Sequence, residues 1–170
     1  MAATATISAE QYFQLSFPER EAELDHGVIS ERPLPDFLHS YIQSELILLL
    51  RLLLRTKTEY SVCPELRMHV SKDVVRIVDI CVLDYRPDTD TAPAKPPLVA
   101  IEVVSKDDRY TEILKKLREY HEWGVPNVWL IDPRSEQLGV YGPKGFMQVE
   151  ALTLPQFNFS VTLKQLLPPE

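Results

Sequence analysis

Two apolar runs in this chain each carry one carboxylate near the middle: Asp79 lies inside IVDICVL (residues 77–83) and Glu102 inside LVAIEVV (residues 98–104). Runs this apolar and this rich in β-branched residues read as buried strands. Strands covered on both faces need layers above and below them, which directs the chain toward a mixed α/β (α+β) fold, a central sheet flanked by helices. They also pose a problem of charge. An ionised carboxylate in such surroundings is costly unless it is paired, hydrogen-bonded or bound to a metal. One such acid is commonly structural, with an arginine as partner. Two acids on separate, neighbouring strands favour a shared site for a hard cation.

The rest of the pattern supplies the covering layers. Ser8 and Gln11 have capping-box spacing and open a short helix toward Leu15. Residues 21–29 read as a strand that turns near His26-Gly27. Pro33 and Pro35 break the chain before Asp36, which caps a helix expected to run to about Thr56, with Ile42, Leu46, Leu49, Leu50 and Leu53 on one stripe. Strands are expected over residues 60–70, 74–83 and 98–104, with a proline-rich loop over 86–98. Asp107 and Asp108 should cap a helix ending at Trp123 before Gly124, followed by a buried strand over 128–131 and a hairpin around Gly142-Pro143.

The chain has 170 residues, which suits a single domain spanning 1–170 with a substantial core. Its net charge of −7 excludes a passive DNA coat held by a global basic field, but not an enzyme with a local groove and a bound metal. The start, MAATATISAEQ, shows no basic and apolar leader, and the apolar run Ile47–Leu54 is broken by Arg51 and is too short to span a bilayer. A cytoplasmic location without membrane attachment is expected. Cys63 and Cys81 show no CxxC pairing and read as reduced thiols in strands.

Oxygen ligands suit Mg²⁺, with Mn²⁺ as a substitute. His26, His39, His69 and His121 lack HxxxH or HExxH spacing and read as surface or capping residues rather than zinc ligands. On the helix after Glu102, Ile113, Leu114, Leu117, Tyr120 and His121 share an inward arc. Lys116 falls at the edge of that arc and can reach toward the sheet, whereas Lys115 should face solvent. Spacing alone leaves a Glu112–Lys116 ion pair on equal terms with a catalytic role. The nearby strand acids favour the catalytic one.

The run EVVSKDDRYTEILKKLREYHEWGVPNVWLID (residues 102–132) resembles the Uma2 family of endonucleases, a domain common in cyanobacteria whose members look like the PD-(D/E)xK nuclease superfamily. AELDHG (residues 22–27) and RIVDICV (residues 76–82) match as well. The resemblance implies a restriction-endonuclease-like core with Asp79 and Glu102 as the motif acids. The lysine that ordinarily follows two residues after the glutamate would fall on Val104. The family pattern instead places one on the following helix, at Lys116, with Lys106 as the fallback. Val78 replaces the usual proline before the first acid, Val28 an early glutamate, and Lys106 a proline.

The expected activity is Mg²⁺-dependent phosphodiester hydrolysis in nucleic acid, with DNA the first substrate to try. Asp79, Glu102 and the Val103 carbonyl would hold the metal, and Lys116 would orient water or stabilise charge on phosphorus. Glu65, read at a turn, is a possible further acid. The alternatives are a catalytically silent nucleic-acid- or protein-binding module on the same fold, or a hydrolase acting on another phosphate substrate. The broad apolar surface of the helix from Asp36 further suggests a homodimer.

Overall fold

The structure is a computed structural model that describes residues 6–169, so residues 1–5 and 170 of the expected 1–170 domain lie outside the described residues. In chain order the elements are α1 (Ala9–Tyr12), β1 (Ala22–Asp25), β2 (Val28–Glu31), α2 (Phe37–Leu53), β3 (Ser61–Ser71), β4 (Val74–Leu83), β5 (Val99–Val103), α3 (Tyr110–Trp123), β6 (Asn127–Asp132), β7 (Gln137–Gly142), β8 (Gly145–Val149), β9 (Leu152–Leu154) and β10 (Phe159–Val161). An eight-stranded sheet runs β2-β1-β4-β5-β6-β7-β8, with β3 paired to β4. It is mixed, because β5 and β6 are parallel while the other pairings are antiparallel. The expected α/β class with a central mixed sheet is what the chain adopts.

Helices cover the two faces. On one, α2 buries Ile42, Leu46 and Leu50 with Ile80, Ile101, Trp129 and the C-terminal Leu152, Leu154 and Val161. On the other, α3 buries Ile113, Leu117 and Tyr120 with Cys81, Leu83, Ala100 and Leu130. Each such aliphatic side chain contributes about 1.5–3 kcal/mol by leaving water. The separate two-stranded sheet of β9 and β10 was not foreseen, because three-residue strands split by Pro155 carry no periodic signal. Asp36 caps α2 as expected, accepting from the His39 amide at 3.0 Å. At α3 the expectation fails: Arg109 is the N-cap and offers no side-chain bond, while Asp108 turns back to accept from the Ser105 amide at 2.7 Å. Gly124 closes α3 at φ 104°, a conformation that glycine adopts without a Cβ penalty.

The two edges of β4 are paired differently. β3 lies along one edge of β4 from Val74 to Leu83. The other edge is shared, since β1 pairs at Val75 and β5 pairs only over Ile80–Val82. The stretch Arg76–Asp79 between them pairs with neither, and side-chain carboxylates take over the ladder. Glu23 accepts the Ile77 amide at 3.0 Å, and Asp79 accepts the Val103 amide at 2.8 Å. β1 and β5 therefore diverge from β4 like the arms of a fork. Opposite the fork, Glu65 sits inside β3 at φ 46° rather than at a turn, between the pairs Pro64↔Ile80 and Leu66↔Val78, which keep one register. A non-glycine residue in this region carries backbone strain of about 1–3 kcal/mol, and such strain gathers at functional sites. Cys63 and Cys81 face each other across β3 and β4 as free cysteines, Cys63 half-buried and Cys81 buried.

Candidate active site

The fork opens into a cleft of about 780 Å³ whose lining includes Glu23, Arg32, His39, Asp79, Glu102 and Lys116. The β4/β5 ladder pairs Val82 with Val99, Cys81 with Ala100 and Ile80 with Ile101, so Asp79 and Glu102 come next, one step beyond its last pair. Both are buried, at 2% and 4% exposure. Lys116 reaches the same place from α3, with Nζ 3.0 Å from Glu23 Oε1 and 3.8 Å from Glu102 Oε2. The structure thus brings the two strand acids and Lys116 to one cleft. A Glu112–Lys116 ion pair is absent among the described residues. Lys106 is exposed and does not line the cleft, and its amide binds Asp36 at 3.2 Å.

Two expectations about neighbouring residues need correction. Lys115 does not face solvent, because Nζ donates to both Asp25 oxygens, at 2.6 and 2.7 Å. Helical phase alone points it away from the sheet, but the β1–β2 hairpin overhangs that side of α3. His39 is not a surface residue. It is 4% exposed, with Nε2 3.1 Å from Asp79 Oδ2, while Nδ1 is buried without a partner. Its signal was present in the sequence, since residues 39, 42 and 46 share the buried face of α2.

Three participants were missed. Glu23 lies at the centre, accepting from Lys116, Arg76 and the Ile77 amide. Arg32 donates to Asp79 Oδ1 and to Glu65 Oε2. Tyr120 donates to Glu102 Oε1 at 2.8 Å. Tyr120 was placed correctly on the inward arc, but as core. Glu23 and Arg32 belong to short, irregular segments whose approach to β4 depends on the hairpin fold and leaves no local pattern.

The electrostatics follow from burial opposed by neighbours. Burial and then the Asp79 charge push the Glu102 carboxyl up to about 8, against the pull of Lys116. Burial opposes ionisation of Asp79 as well, but the His39 hydrogen bond and the Arg32 charge hold it below its ordinary value. Lys116 is disfavoured by burial, yet Glu102 and Glu23 hold it above the usual lysine value, so it stays charged. His39 is likewise raised, with burial outweighed by Asp79.

One continuous ion-pair network joins Glu23, Asp25, Glu65, Asp79, Glu102 and Glu119 to Arg32, Arg76, Lys115 and Lys116. Six acids meet four bases, which leaves two negative charges when all are ionised and the histidines are neutral. Burial and the Asp79 charge raise Glu102, and Asp79 raises His39 against burial, so both hold protons more tightly than usual and offset part of that excess. The oxygen-rich donor set and the charge deficit both fit a hard divalent cation. Among the described residues, the one group of three metal-ligating side chains whose ligand atoms lie mutually within 4.8 Å is Asp25, His26 and Glu119. Arg76 and Lys115 bind its carboxylates, as Arg32 and Lys116 bind those of Asp79 and Glu102.

Comparison with known proteins adds the context. A family model described as "Uma2: Putative restriction endonuclease" matches residues 9–169. A crystal structure described as a putative nuclease belonging to DUF820, from Anabaena variabilis, superposes with a TM-score of 0.81 at 24% identity, over 94% of this chain and 97% of that one. At that identity the likeness establishes a shared fold. Among curated proteins, none matches the sequence.

Proposed function

The chain belongs to the Uma2 family of putative restriction endonucleases, and on that premise we propose that it is a divalent-metal-dependent endonuclease acting on nucleic acid, DNA first, as a single domain. The observation that carries this reading is the placement of Asp79 and Glu102 side by side at the floor of the cleft, with Lys116 3.8 Å from Glu102. Asp79 and Glu102 would hold Mg²⁺ or Mn²⁺, with the Val103 carbonyl as a further ligand. A cation there supplies Lewis acidity toward a phosphate oxygen and toward water.

The chain's own groups supply the remainder. Lys116, kept charged by Glu23 and Glu102, stabilises negative charge developing on phosphorus or orients the attacking water. Tyr120 fixes the rotamer of Glu102, and His39 together with the Val103 amide fixes that of Asp79. Among the described residues no helix is long and apolar enough to cross a membrane. A cytoplasmic location remains the working expectation. Leu48 and Leu52 are more than half exposed on α2, which supports the proposed homodimer through that face.

The test is a cleavage screen on double-stranded and single-stranded DNA and on RNA, with Mg²⁺, Mn²⁺ or EDTA, beside Glu102→Ala. Metal-dependent cleavage lost in the variant supports the proposal. Nucleic-acid binding without cleavage, equal in both proteins, favours a silent binding module.

A further inference from the structure

Asp79 has little room for another ligand. Its Oδ2 already accepts from His39 Nε2 at 3.1 Å and from the Val103 amide at 2.8 Å. That leaves Oδ1, and Arg32 holds it with Nη2 while Nη1 grips Glu65. Arg32 Nε also lies 4.0 Å from Glu23. The guanidinium therefore stands among the acids where a cation would stand, its side chain only 16% exposed. We propose that Arg32 is the resident counter-ion of the metal-free site, and that a divalent cation gains Asp79 only when Arg32 lets go. This rests on the reading of the cleft as a metal site and assigns its gating to one residue of this chain.

The surroundings of Arg32 support an exchange of this kind. It lies just outside β2, directly before Pro33, and the proline keeps its backbone extended. Its main-chain anchor, the amide bonded to the Glu21 carbonyl at 3.0 Å, does not depend on where the side chain goes. Glu65, the second carboxylate in its grip, is also held by Gln43 at 2.8 Å, so it stays in place when the guanidinium leaves. Two like-charged occupants cannot share Asp79 Oδ1. Metal and Arg32 therefore compete, and apparent metal affinity is reduced by the fraction of molecules in which Arg32 occupies the site.

The experiment is a Mn²⁺ titration followed by calorimetry and by loss of the free-ion paramagnetic resonance signal, on wild type, Arg32→Met, Arg32→Lys and Glu65→Gln. If Arg32 holds Asp79 in nine molecules of ten, Arg32→Met should bind Mn²⁺ about tenfold more tightly. Arg32→Lys should fall between, since one ammonium cannot grip both carboxylates as the planar fork does. Glu65→Gln keeps Asp79 and Glu102, takes the charge from Arg32's second anchor, and should also bind more tightly. That variant decides the matter if Arg32→Met does not fold. Wild-type binding with equal or weaker binding in Arg32→Met and Glu65→Gln overturns the counter-ion role and leaves the metal site standing. Absence of binding in every protein overturns both.

Discussion

The Tyr120 hydroxyl donates to Glu102 Oε1 at 2.8 Å, joining α3 to β5 through two buried side chains. The bond gives an otherwise poorly solvated carboxyl one fixed partner, and burial followed by the Glu102 charge raises the phenol well above its usual range. Tyr120→Phe keeps the ring but leaves Oε1 unpaired. Urea denaturation should show a loss of about 1–3 kcal/mol. Mg²⁺ should raise the melting temperature of the wild type by binding the folded state, and by less in this variant, because Glu102 is then free to rotate.

The metal-free protein should lose stability as pH rises through neutrality. Glu102 titrates near 8 when folded, against an ordinary value of 4.5, so the native state keeps a proton that the unfolded chain releases between those values. That contribution is complete below the ordinary carboxylate range and is lost as pH climbs toward 8, with a limiting slope of about 1.4 kcal/mol per pH unit. His39, raised by Asp79 against burial, acts in the same direction: its contribution is full below its ordinary value and fades as pH passes its folded value. Denaturation of wild type and Glu102→Gln between pH 5 and about 8 should give a shallower fall in the variant. Parallel curves would contradict the assignment.

Lys116 and its neighbour should separate chemistry from structure. Lys116→Met removes the cation beside Glu102 and should lower the cleavage rate by about 10²–10³-fold with a smaller effect on binding. Lys115→Met instead unties α3 from Asp25, which keeps Arg76 as a partner. It should cost about 0.5–1 kcal/mol of stability and leave the rate near wild type. Equal rate losses in single-turnover assays would mean that general charge, rather than position, is what matters.

Asp36 joins three parts of the fold around the cleft: it caps α2, accepts the Lys106 amide at 3.2 Å, and binds Arg134 at 2.6 Å. The capping bond to the His39 amide, with the Arg134 and Lys106 bonds, lowers its pKa to about 2 against desolvation. Its contribution is present above the ordinary carboxylate range and is lost as pH falls toward 2. Asp36→Ala should cost about 1–2 kcal/mol by thermal or urea denaturation at neutral pH. A cost within 0.3 kcal/mol, about the error of such measurements, would mean the cap is replaceable.

The frame of this site was legible because it rests on strong local signals. Apolar runs marked β4 and β5, an acid in each marked the site, and Asp36 after two prolines marked the start of α2. What encloses the site was not. Glu23 sits in the four-residue β1 and becomes buried only because β1 and β5 diverge along one edge of β4. Arg32 has no periodicity, and its partners lie 33 and 47 residues away. Lys115 was misplaced because helical phase describes a helix against one sheet, and the overhanging hairpin adds a second surface. Glu65 resembled a turn residue and is a strained residue within a strand.

The most direct test of the metal site is an anomalous difference map from a crystal of this protein soaked in Mn²⁺, recorded at the manganese edge. One strong peak is expected between the Asp79 and Glu102 carboxylates, with the Arg32 guanidinium moved off Asp79. A peak at Asp25, His26 and Glu119 instead, or none at either cluster, would contradict it.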